Sequence, residues 1–127
     1  DWSPSDYAVQ LTRRPRGLPL WFSLATYGAG VYREAITHSI TLARQIAEEI
    51  AKRPGLTLVR DPQLSVVVFE RDGWERADYT RWSDQLLADQ QAFVVPSSYK
   101  GRTNARFAII SPLTTFEQLT AILDTME

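Results

Sequence analysis

The chain has no cysteine, a single histidine (His38) and only two lysines (Lys52 and Lys100) in 127 residues. Without cysteine there is no disulfide, no thiolate metal site and no thiol nucleophile. His38 alone has too few partners for a zinc site or a catalytic triad. Neither lysine has a setting suited to a catalytic amine, which needs burial or neighbouring cations to depress its pKa. Lys52 falls at a helix end, and Lys100 falls in the glycine-flanked turn YKGR. An excess of one charge is also missing: the formal net charge is −1, which gives no electrostatic case for nucleic acid or an anionic membrane. A long apolar run and a signal-like start are both absent, so a cytosolic protein is the expectation. Asp1 follows no initiator Met, so a processed or excised piece is expected.

What is present is ordinary for a globular protein. Hydrophobic residues make up 44% and charged residues 23%, and the length suits one domain with a modest core. Twelve of the fourteen basic residues are arginine. Arg13, Arg14 and Arg16 form a cluster that suits either a phosphate or RNA contact or, more simply, packing against a carboxylate or a partner domain.

Residues 1–17 carry Pro4, Pro15 and Gly17 without periodicity and read as an extended arm, leaving 18–127 as the folded domain. Leu18 to Tyr27 reads as a short helix, apolar on most sides, with Pro19 in its first turn and Gly28-Ala29-Gly30 breaking it. Val31 to Arg53 is a long helix with Tyr32, Ala35, Ile36, Ile40, Ala43, Ile46, Ala47 and Ile50 on one stripe. Lys52 and Arg53 complement its dipole and Pro54-Gly55 stops it. Strands are expected at Leu56–Val59, Ser65–Glu70, Phe93–Ser98 and Ala105–Ser111. Between them, Asp78 suits a cap for a helix from Tyr79 to Gln90 with Tyr79, Trp82 and Leu86 inward. Thr114 and Glu117 suit a capping box for a final amphipathic helix. Hairpin-length connections imply antiparallel pairs. The expected class is α+β: about four antiparallel strands with helices on one face, preceded by a long connecting helix.

Few residues invite chemistry. Glu48-Glu49 and the Asp84/Asp89 pair lie on expected solvated faces. Gly28-Ala29-Gly30 lacks the strand and third glycine of a phosphate loop. Arg106 stands apart, because it opens the otherwise apolar strand RFAII. A guanidinium on the inner or mouth-facing side of a sheet needs an anionic partner, and its planar fork suits a carboxylate. An internal salt bridge or simple exposure at a strand start is the alternative.

In order along the chain, Arg13, Arg14, Leu18, Trp21, Phe22, Tyr27 and Gly28, then Arg106-Phe107 and Pro112-Leu113-Thr114-Thr115, resemble the C-terminal part of group II pyridoxal-phosphate-dependent amino-acid decarboxylases. The resemblance spans essentially the whole chain. It departs at Pro19, where the family usually has Lys, and at Ala25, where Arg is common before Tyr-Gly. Both departures bear on substrate subclass.

The resemblance implies the small C-terminal domain of a fold-type-I enzyme: a cytoplasmic homodimer using pyridoxal 5'-phosphate on an amino-acid substrate, with no nucleic acid or membrane partner. The cofactor is held as a Schiff base on a lysine of a large domain, which this chain does not include. The domain's partners would be that large domain and the second subunit. By position, the resemblance makes Arg106 a substrate-carboxylate contact, and it assigns no catalytic, cofactor or metal residue to the chain. Two alternatives stay open: another fold-type-I enzyme such as an aminotransferase or desulfurase, and a stand-alone α+β binding or regulatory module.

Overall fold

The structure, a computed structural model, describes residues 4–7 and 15–126. The chain divides into two compact units, Asp1–Arg33 and Glu34–Glu127. In the first, a 3-10 turn spans Pro4–Tyr7. It is followed by the start of helix α1 (Gly17–Lys52), which is interrupted at Gly28 by non-helical φ 75°, ψ 157°. The expected apolar helix and the glycine break after it are both present. Its apolar side chains are exposed within this unit: Leu20, Trp21 and Phe22 keep 59%, 60% and 55% of their surface.

In the second unit, the C-terminal part of α1 buries Ser39, Leu42, Ala43, Ile46, Ala47 and Ile50. The expected stripe is correct from Ala43 onward. Earlier on, Ile36 points out and Leu42 takes the core position, because the inward face is set by what packs on it. The four strands are β1 (Leu56–Leu58), β2 (Val66–Arg71), β3 (Ser97–Tyr99) and β4 (Arg102–Ala108). They form one antiparallel sheet in the order β1-β2-β4-β3, with Leu56 opposite Arg71, Val68 opposite Arg106 and Tyr99 opposite Arg102.

Alternation along β2 and β4 separates two faces. Val67, Phe69, Ala105, Phe107 and Ile109 join α1, α2 (Arg76–Ala88) and α3 (Phe116–Asp124) in one core, with Phe69 and Phe107 ring centroids 4.9 Å apart. Tyr79, Trp82 and Leu86 are buried from α2, and Leu119, Ile122 and Leu123 from α3. Residues of opposite parity, Val66, Arg106 and Ala108, lie exposed on the other face. The α+β class and the single helical layer are as expected.

The boundaries moved for physical reasons. The segment from Phe93 pairs only after Pro96, since proline has no N–H for the ladder; Val94 still enters the core while Phe93 and Val95 stay out. β4 begins three residues earlier than expected, because Lys100 and Gly101 alone make the turn with φ of 51° and 80°. Two consecutive residues with positive φ are the mark of a two-residue hairpin. Helix α2 starts at Arg76. Asp78 is therefore not the cap: it lies one turn in and accepts from the Glu75 N–H at 2.9 Å. The α3 capping box is one residue later than expected. Thr115 Oγ1 accepts from Gln118 N at 3.3 Å, and Gln118 Oε1 accepts from Thr115 N at 3.0 Å.

Candidate functional site

β4 is a central strand, and Arg106 stands in its middle with its side chain on the face away from the helices. The guanidinium is exposed and joins no ion pair among the described residues. The strain of a buried unpaired charge therefore does not arise, and the side chain keeps all five donors for an external anion. Its neighbours on the sheet are apolar: Val68 directly opposite, with exposed Val66 and Ala108 beyond. A cavity of about 270 Å³ borders it, lined by Gln91, Phe93, Val94, Thr114 and Gln118 among others. This cavity lies where the segment before β3, the end of β4 and the start of α3 meet. Further along the open face, Arg102 pairs with Glu70 at 3.0 Å.

His38 is exposed on α1, and its Nε2 lies 3.0 Å from the Thr114 carbonyl. This contact ties α1 to the segment entering α3 and gives the ring a structural role. Lys52 is exposed at the end of α1. Lys100 is exposed at the hairpin tip, with Nζ 5.4 Å from the Tyr99 ring centroid. Glu49 pairs with Arg53 at 3.0 Å, and Asp89 accepts from Gln85 Nε2 at 2.8 Å. Glu48 and Asp84 are solvated. Among the described residues, no group of three or more His, Asp or Glu is arranged to hold a metal ion, and no helix is long and apolar enough to cross a membrane. Gly28 is a helix break and cradles nothing. Arg13 and Arg14 lie outside the described residues.

Two arginines carry contacts that sequence reasoning did not assign. Arg53 bridges Glu49 on its own helix and Asp124 at the end of α3. Burial works against its charge, but hydrogen bonds to Asp124 and Glu49 outweigh that and raise its pKa. Arg71, at the end of β2, donates from Nε to the Met126 carbonyl at 2.8 Å. Its guanidinium lies so close to Gly55 that a Cβ there would collide with it. The sequence signal for this contact is Gly55 itself, placed after a helix-stopping proline where φ is 75°. Beside it, burial pushes the Tyr79 phenol up in pKa, opposed by the Arg71 N–H that it accepts at 2.7 Å.

No family model matches the chain. It is 27% identical over 122 residues to an aromatic-L-amino-acid decarboxylase of Bacillus atrophaeus, a match that takes in 91% of this chain and 25% of that protein. It is 30% identical over 121 residues to tyrosine decarboxylase 2 of Arabidopsis thaliana, again over 91% of this chain but 22% of the other. The chain thus spans about a quarter or less of the curated relatives it matches. Among solved structures, the Oryza sativa TDC with PLP matches 97% of this chain and 29% of its own, with a TM-score of 0.79 at 23% identity. The long helix, the four-stranded sheet and its helical layer are thus found together within a larger solved protein.

Proposed function

We propose that this chain is the small C-terminal domain of a pyridoxal-phosphate-dependent amino-acid decarboxylase, and that Arg106 is its contact with the substrate carboxylate. The observation that carries the reading is the match of 91% of the chain to amino-acid decarboxylases. On this reading residues 1–17 are an arm and 18–127 the domain proper. The parent is a cytoplasmic homodimer whose remaining sequence forms the large domain.

In such enzymes the cofactor supplies the electron sink for the bond that breaks. The residues present here do not fit that group: Lys52 and Lys100 are both exposed and neither lines the cavity beside Arg106. The cofactor lysine is therefore assigned to the rest of the parent, and the isolated chain is expected to be inactive. What this chain contributes is position. Arg106 offers a planar fork to a carboxylate, with apolar Val66, Val68 and Ala108 around it to exclude water from the contact.

The chemistry constrains how strongly that fork should act. A carboxylate that leaves as CO2 loses its negative charge on the way to the transition state. An arginine that binds it therefore stabilises the ground state at least as much as the transition state. Arg106 accordingly belongs to binding and orientation rather than to the chemical step. In the full-length enzyme, Arg106→Ala is expected to raise KM about tenfold or more, as for loss of a charged hydrogen bond worth about 1.5–3 kcal/mol, with a smaller change in kcat. Release of CO2 from a panel of amino acids measures both constants. Unchanged KM would remove Arg106 from the substrate site, and no CO2 from any amino acid would remove the decarboxylase reading.

A further inference from the structure

A second cavity, of about 440 Å³, opens where α1 and α3 both end, lined by Arg53, Pro54, Gly55, Leu56, Arg71, Leu123 and Met126. Its walls are of two kinds. Leu56 makes an apolar floor, with the buried Leu123 and Met126 behind it and exposed Pro54 at the mouth. Two guanidiniums stand over it, and their circumstances differ. Arg53 is already matched by two carboxylates, Glu49 and Asp124. Arg71 is half-buried and anchored through Nε alone to the Met126 carbonyl. Among the described residues, its Nη1 and Nη2 have no carboxylate or carbonyl partner. Because Gly55 has no side chain, the Nη1 end of the guanidinium packs against it, so the fork is held in place before any ligand arrives.

We infer that this cavity binds a small monocarboxylate with an apolar body, its carboxylate on the Arg71 fork and its hydrocarbon against Leu56 and Pro54. The restriction to one negative charge follows from the surroundings. Glu49 and Asp124 are paired to Arg53, one of the lining residues, and two helix C-termini, whose dipoles repel anions, end beside the site. A phosphate dianion meets that repulsion twice over and has nothing to place on the apolar floor. A neutral molecule of the same shape leaves the fork unused.

The test is a titration of the full-length protein with phenylacetate, phenylacetamide and inorganic phosphate, read by calorimetry and by amide shifts at Gly55, Leu56 and Met126. Phenylacetate is expected to bind saturably, with phenylacetamide and phosphate at least tenfold weaker. Arg71→Gln should weaken phenylacetate at least tenfold, with Arg71→Lys between the two. Because Arg71 also holds the end of α3, Pro54→Glu provides a second variant. It puts a carboxylate at the exposed mouth without touching the core, and should likewise weaken binding at least tenfold. Arg106→Ala should leave these shifts in place, which separates this site from the proposed substrate contact. The inference is overturned by equal binding of acid and amide, by phosphate binding as tightly as phenylacetate, by wild-type affinity in Arg71→Gln or Pro54→Glu, or by no saturable binding of phenylacetate.

Discussion

Asp78 and Glu117 each sit in the first turn of a helix, where backbone N–H groups have no partner within the helix. Asp78 is held below the usual carboxylate range chiefly by the Glu75 N–H, with Arg81 adding to it. Glu117 is lowered chiefly by its own N–H and then by the Thr115 hydroxyl. A carboxyl whose folded pKa is depressed favours folding at every pH above its unfolded value, and that contribution is lost as pH falls through the folded value. The chain should therefore lose stability on acidification below about pH 4. Asp78→Asn combined with Glu117→Gln should flatten that fall, as read from melting temperatures between neutral and acid pH. An equally steep fall in the double variant would mean that other carboxyls carry it. Lys100 poses a different residue-scale question, since it holds a φ of 51° that L side chains rarely adopt. Lys100→Gly should relieve that strain, while losing the contact with Tyr99, and stabilise the hairpin by about 0.5 kcal/mol net. A lower melting temperature would show that the Tyr99 contact matters more.

At the scale of elements, helix starts were the least legible feature, and α3 shows why. The string Thr114-Thr115-Phe116-Glu117-Gln118 offers two overlapping capping boxes. The sequence alone does not choose between Thr114 with Glu117 and Thr115 with Gln118. Packing decides: Leu119, Ile122 and Leu123 must face the core, and the Thr114 carbonyl is engaged by His38. Thr115→Ala should then cost about 1 kcal/mol, the usual loss for a capping hydroxyl, whereas Thr114→Ala should cost little. Equal losses at the two positions in thermal melts would refute the assignment. The same competition explains β3 and β4. Apolar Phe93 and Val95 read as strand, yet Pro96 keeps them out of the ladder. Polar Arg102-Thr103-Asn104 reads as turn, yet the two-residue hairpin draws it into pairing with Ser97–Tyr99. The helices of the core and the antiparallel order were legible because periodicity and connection length set them. Arg106 was legible as an oddity in an apolar strand. The Arg71 contact was not, because it depends on the register that sets Gly55 beside Arg71 at the end of the β1–β2 pair and on Met126 arriving from beyond α3.

At the scale of the whole molecule, the chain spans a quarter or less of relatives that resemble it along nearly all its length, and its first unit carries exposed apolar side chains. Within the first unit Leu18, Leu20, Trp21, Phe22, Leu24, Tyr27 and Val31 are all exposed. Exposed apolar residues are normal when scattered, but seven within fourteen positions of one helix make a contiguous liability. In the proposed parent this surface would be covered by the large domain or the second subunit. In the isolated chain it is left to water, and self-association is the available way to bury it. The isolated chain should therefore elute larger than a monomer, with a mass that rises with concentration in light scattering. Trp21→Glu with Phe22→Glu should shift it toward monomer while leaving the melting of the second unit unchanged, because neither residue belongs to the core cluster. A monomeric mass for the unsubstituted chain at high concentration would show that this surface is tolerated in water. No covering domain would then be needed for it.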